Sequence, residues 1–154
     1  MPSPLDKDPL HCPLCAPVAE QVVWSNDAWR VVAVTDQEFP AYYRVIARAH
    51  VREFSHLPPP QRLQCMQIVS MVERDVIAHL HPTKVNLASL GNVVDHLHWH
   101  VIARFDWDTR YPAPIWGEPQ RAPSPAALAT VEAKMAALDA RIRRSLAEPE
   151  ALEE

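Results

Sequence analysis

No apolar run in the chain approaches the ~20 residues that a membrane span requires, so no membrane association is expected. Basic residues are not in excess. Fifteen Lys and Arg stand against 19 Asp and Glu, a formal net charge of -4. Broad nucleic-acid binding rests on a basic patch and is not expected here, whereas a small anionic ligand needs only a few local donors. The first residues, Met1-Pro2-Ser3-Pro4-Leu5-Asp6, show neither a basic start nor an apolar secretory stretch, and a cytoplasmic location is the expectation. There is no internal repeat and no low-complexity tract. Glycine occurs twice and cysteine three times. In a reducing compartment the pair Cys12-Pro13-Leu14-Cys15 points to metal or redox chemistry rather than a structural disulfide. Cys65 falls in a helical pattern and reads as a buried core thiol.

What is present is enough chain for one domain, 1–154, with 48% hydrophobic and 22% charged residues to build a sizeable core. Residues 1–10 are polar and proline-containing and read as a flexible terminus. Val22-Val23-Trp24 and Trp29 to Val34 flank Ser25-Asn26-Asp27 as a β-hairpin, and Arg44-Val45-Ile46-Ala47 is a further strand. Pro58-Pro59-Pro60 opens a helix. Leu63, Met66, Val69 or Ile68, Val72, Val76 and Leu80 recur on it at helical spacing, and Pro82 stops it. His79 and His81 at its end suit the helix dipole and read as structural. Lys84 to Leu87 is a strand candidate, Leu90-Gly91-Asn92 a turn, and Asp95 to Arg104 alternates with period two. Residues 105–154 hold a proline-rich segment, Tyr111 to Pro125, and a C-terminal helix. Ser124 stands at its N-cap, Pro125 at its first position, and Leu128, Val131, Met135, Leu138, Ile142 and Leu146 form one stripe. The order β-β-β-α-β-β-α lacks the alternation of a parallel sheet. It implies an α+β fold with helices against an antiparallel sheet.

The segment His96-Leu97-His98-Trp99-His100 carries the chemistry. On a strand, residues i, i+2 and i+4 share a face, so the three imidazoles form one ridge while Leu97, Trp99 and Val101 turn toward the helices. Histidine has modest strand propensity, and three at this spacing are not explained by the sheet alone. One imidazole could attack phosphorus, activated by a hydrogen bond at its other nitrogen. Alternatively, the histidines could ligate zinc.

Gly91-Asn92-Val93-Val94-Asp95-His96-Leu97-His98-Trp99-His100-Val101-Ile102 resembles the motif of the histidine triad family, His-φ-His-φ-His-φ-φ with φ apolar. The resemblance runs from about Cys12 to Arg104 and includes Val45-Ile46-Ala47-Arg48-Ala49-His50, similar to the family's Val-Ile-Pro-Lys-x-His. It implies a five-stranded antiparallel sheet with a long helix packed on it. It implies a nucleotide hydrolase or transferase working through a nucleotidyl-histidine, and a homodimer. Diadenosine tetraphosphate or an adenosine 5'-phosphoramidate would be typical substrates. Carried over, His98 is the nucleophile and His100 faces the phosphate or leaving group. Asn86 helps to bind the α-phosphate region, and Asp36 resembles a ribose-binding acid. Two departures stand out. Asn92-Val93 replaces a Gln-Ser whose hydroxyl contacts phosphate, so backbone amides or Asn92 must donate instead. Tyr42 stands where one branch has a histidine.

Some branches of the family bind structural zinc through a Cys-x-x-Cys pair and two histidines. On that pattern Cys12, Cys15, His50 and His96 would close a tetrahedral site, a zinc-knuckle-like segment tying the N-terminus to the triad strand. A redox reading of the pair needs a βαβ context that is missing. His11 and His56 compete with His50 as ligands. Two other functions compete with the enzyme: a nucleotide-binding protein with negligible turnover, and a metalloenzyme in which His96, His98 and His100 hold a catalytic ion. Trp29, Trp99, Trp107 and Trp116 could shape a base pocket, but packing is the favoured role for such large apolar groups.

Overall fold

In the computed structural model, which describes residues 9–148, a five-stranded antiparallel sheet lies against two long helices. Strands β1 (Gln21–Ser25), β2 (Trp29–Ala33) and β3 (Tyr42–Ala47) precede helix α1 (Pro59–Leu80). Strands β4 (Lys84–Ala88) and β5 (His98–Arg104) follow, then helix α2 (Pro125–Ala147). The spatial order is β1-β2-β3-β5-β4, so the triad strand is interior and β4 forms an edge. The expected terminus falls mostly on residues 1–8, outside the described residues.

Local chemistry sets these elements. Asn26 turns the first hairpin, its side-chain oxygen accepting the amides of Ala28 at 3.0 Å and Trp29 at 2.8 Å. Prolines occupy the first positions of α1, where no amide donor is needed. His81 ends α1 in the left-handed region, φ 49°, with its N–H on the Ile77 carbonyl. The apolar face of α1 is Cys65, Ile68, Val69, Val72, Val76 and Leu80, all buried. The expected stripe is corrected at its start. Leu63 lies nine residues before Val72, half a turn around the helix, and is 63% exposed. Ser124 stands at the N-cap of α2 without a side-chain cap bond; its carbonyl receives the Leu128 amide at 3.0 Å. In the stripe of α2, Leu128 and Met135 are only half-buried.

The two faces of the sheet have different fates. Val23, Trp29, Val31, Tyr43, Val45, Leu97, Val101 and Ala103 point to the helices and form the main core. Buried Asp139 of α2 fastens the helix to this side, accepting the Tyr43 hydroxyl at 2.6 Å and the Gln21 side-chain amide at 3.1 Å. On the other face, Cys12 and Leu14 of the N-terminal segment cover Val32 and Ile46. That cover leaves the neighbouring row open, where Arg44 of β3, His100 of β5 and Ala88 of β4 stand in register.

Candidate active site and metal centre

Hydrogen bonds fix the histidine rings one by one. The triad strand begins at His98, two residues into the motif; just before it, Leu97 accepts the amide of Ala47 at the end of β3 at 3.2 Å but turns its own N–H beyond that strand, to the Val51 carbonyl at 2.7 Å. His96 sits in that bend, fully buried, with Nε2 2.5 Å from the Ala47 carbonyl oxygen. A carbonyl can only accept, so Nε2 carries the proton and Nδ1 offers a lone pair. The same logic applies to His98. Its Nδ1 lies 2.6 Å from the His96 carbonyl oxygen, which leaves the Nε2 lone pair uncommitted. His100 contacts the Tyr42 hydroxyl through Nδ1 at 2.6 Å. The His98 and His100 rings meet edge to face with centroids 4.9 Å apart, and Trp116 lies against His100 at 5.2 Å.

Burial keeps these rings neutral. It is the largest influence holding His98 below the ordinary histidine value, partly opposed by the bond to the His96 carbonyl and aided by the Arg44 charge. His100 is driven down to about 4, first by burial, then by His98 and Arg44. Burial also pushes the Tyr42 phenol above its usual value, against the lowering pull of Arg44, so it stays protonated.

The free Nδ1 of His96 faces two thiols, 3.5 Å from Cys12 Sγ and 3.4 Å from Cys15 Sγ. Cys15 Sγ lies 3.2 Å from His50 Nδ1. These four ligand atoms all fall within 4.8 Å of one another. A tetrahedral ion with ordinary zinc–sulfur and zinc–nitrogen lengths has ligand–ligand edges of about 3.3–3.8 Å, so the cluster could hold a metal. His50 completes the group; His11 and His56 do not enter it. Arg30 supports the loop from below, donating to the Leu14 carbonyl at 2.7 Å and pairing with Glu20 at 2.8 Å.

A cavity of about 570 Å³ opens over His98 and His100, a size suited to a small ligand. Pro13 and Leu14 wall one side, residues 90–94 another, and Tyr42, Arg44 and Trp116 complete it. Asn92 and Val93 therefore line the cavity with the histidines. Asn86 does not; it opens into an adjoining cavity of about 580 Å³, between β4 and residues 112–116, that shares Leu90 and Trp116 with the first. Arg104 donates to its side-chain oxygen at 2.9 Å, which turns the Asn86 amide nitrogen outward as a donor. Asp36 is engaged locally, accepting the amides of Glu38 at 2.8 Å and Phe39 at 3.1 Å, and is not part of the cavity wall.

The favoured packing role holds for Trp29 in the core and for Trp99 and Trp107 packed against it. It is corrected for Trp116, which is 54% exposed and stands between the two cavities. Arg110 holds this segment by donating to the Gly117 carbonyl at 2.7 Å, and the buried Arg104–Asp108 pair anchors its start at 2.8 Å. Burial alone would raise the Asp108 carboxyl, but Arg104 and the amides of Arg110 and Tyr111 outweigh it and lower it. Arg44 was not legible as a site residue. Its only sequence signal is a cation inside the otherwise apolar run Tyr42 to Ala47, and its approach to His100 depends on β3 pairing with β5.

The HIT domain family model matches residues 17–107. A histidine triad protein from Bradyrhizobium japonicum is similar in structure, with a TM-score of 0.65 and 27% identity, over 81% of this chain and 89% of that one. A histidine triad protein from Sinorhizobium meliloti gives a TM-score of 0.64 at 25% identity, over 81% and 88% of the two chains. A Zn-bound histidine triad family protein from Mycobacterium smegmatis shares the fold at 17% identity and a TM-score of 0.58, over 86% and 99%. No curated protein matches the chain.

Proposed function

We propose that this chain, which belongs to the HIT domain family, is a nucleotide phosphohydrolase or nucleotidyltransferase that works through a nucleotidyl-histidine on His98. The observation that carries the reading is the bond from His98 Nδ1 to the His96 carbonyl. It commits the proton to Nδ1 and aims the Nε2 lone pair at the cavity, the state a nucleophile needs. Nε2 attacks the α-phosphorus. An N–P bond forms, and the bond to the leaving group breaks with its electron pair going to that group. The cationic imidazole so produced keeps its Nδ1 proton against the His96 carbonyl, which stabilises the developing charge. Water, or an acceptor hydroxyl in a transferase, then displaces His98, and the N–P electrons return to Nε2.

In this reading the protonated Tyr42 donates to His100 Nδ1, so His100 presents Nε2–H to the phosphate or leaving group. Asn92 and the backbone at Val93 supply donors to the phosphate oxygens. Asn86, oriented by Arg104, reaches the nucleotide from the adjoining cavity. Asp36, held in its turn, is the weakest of the proposed contacts. Cys12, Cys15, His50 and His96 would hold zinc, for which two thiolates and two imidazoles are an apt donor set. Four protein ligands would leave such an ion no open position, and it would stabilise the bend before His98. The free thiols of the described residues suit the cytoplasm. The open edge of β4, with Leu87 41% exposed, is the surface proposed for pairing with a second copy.

The catalytic metal reading is disfavoured by placement. His96 turns to the cysteines, and neither His98 nor His100 joins its cluster. Turnover of a dinucleoside polyphosphate or an adenosine phosphoramidate by the His98→Ala protein tests the proposal. A loss in kcat of at least ~10³-fold is expected, on the scale of removing a nucleophile that works in a unit. Undiminished turnover by a folded variant would contradict it.

A further inference from the structure

Three arginines project from the face of the sheet that carries the histidines. Two are satisfied by the protein itself. Arg30 pairs with Glu20 and the Leu14 carbonyl, and Arg104 with Asp108 and Asn86. Arg44 differs. No carboxylate lies within ion-pair distance of it among the described residues, and its Nε is buried with no hydrogen-bond partner. Its guanidinium stands 5.5 Å from the Tyr42 ring centroid, and its backbone pairs with His100 across β3 and β5. It is the one permanently charged side chain among the described residues lining the histidine cavity, which has no acidic wall residue. A cation left without a counter-charge in a half-buried site costs stability, and an aliphatic residue would fill the row between Val32 and His100 without that cost. A bound anion would supply the missing partner.

We propose that Arg44 forms a subsite for phosphate groups beyond the reacting phosphorus, so that the cavity selects nucleotides whose leaving group is itself a phosphate. The inference rests on the nucleotide reading above and deepens it. Arg44 is in register with His100, the ring placed there on the leaving-group side. The guanidinium holds the charge of the departing phosphate while His98 holds the transferred one. Its planar fork suits two phosphate oxygens at once, and lysine would reproduce the charge without the fork.

The test uses the metal-loaded wild-type protein, Arg44→Met and Arg44→Lys, each variant checked for a melting temperature no lower than that of the wild type. Calorimetry with ADP and AMP gives binding. Initial rates with diadenosine tetraphosphate and with adenosine 5'-phosphoramidate give kcat/KM. Arg44→Met should weaken ADP by about 10–100-fold, the usual range for a lost charged hydrogen bond, and AMP far less. Its kcat/KM should fall by a similar factor on the tetraphosphate and stay within a few-fold on the phosphoramidate. Arg44→Lys should lie between and keeps the test open should Arg44→Met not fold. Equal losses on both ligands, or none, overturn the subsite while leaving a His98-dependent activity intact. Selective loss of ADP binding in a protein that turns over neither substrate sustains the subsite and overturns the enzymatic reading instead.

Discussion

At the scale of single residues, the proton on each ring is set by what faces its other nitrogen. His100 illustrates the consequence. Tyr42, Arg44, His98 and Trp116 surround it, and burial, with the electrostatic influence of His98 and of the Arg44 cation, holds it at about 4 against an ordinary value of 6.5. A histidine depressed in this way is neutral in the fold while the unfolded chain takes up a proton. Its stabilising contribution is therefore present above about 6.5 and is lost as pH falls toward 4. The melting temperature of the wild type should fall through that window more steeply than that of His100→Gln. A proton NMR titration should place the His100 midpoint near 4. A midpoint near 6.5, with equal slopes for the two proteins, would contradict the burial argument.

At the scale of elements, the N-terminal segment joins the candidate metal ligands to the cavity wall. Cys12 and Cys15 meet His96, and Pro13 and Leu14 between them wall the cavity. If the four residues bind the proposed ion, its binding free energy adds to folding free energy. Cys12→Ser should lower metal content and melting temperature together, and reduce kcat less than His98→Ala does. Elemental analysis on protein never exposed to a histidine-tag column checks the first, and calorimetry the second. Full metal retention with an unchanged melting temperature would contradict the proposed site. The Cys-x-x-Cys spacing marked the two thiols locally, but His50 and His96 came from the family resemblance, since no local spacing brings them to the cysteines. The phase of α1 was legible only in part. Leu63 is apolar and lies among the other apolar residues of the run, yet it stands half a turn around the helix from Val72, so hydrophobicity alone did not give its face. Arg44 was invisible because its neighbours come from strand pairing across 56 residues of chain, between β3 and β5.

At the scale of the whole molecule, four separate parts of the chain close on the histidine ridge: the N-terminal segment, β3, residues 90–94 and the loop that carries Trp116. The helices take no part in this wall. They pack on the opposite face, where Asp139 and the apolar core hold the sheet against them. One side of the sheet thus supplies rigidity, and the other is left for chemistry, its rings positioned by backbone carbonyls of the same sheet and bend. The central claim is that His98 becomes covalently nucleotidylated. Intact-mass spectrometry tests it most directly, on protein mixed briefly with adenosine 5'-phosphoramidate or diadenosine tetraphosphate and quenched at alkaline pH, where an N–P bond survives. The account predicts a gain of one nucleoside monophosphoryl group, mapped to the peptide containing His98 and absent from His98→Ala. Product formation with no such adduct at any time point, or an adduct that persists in His98→Ala, would contradict it.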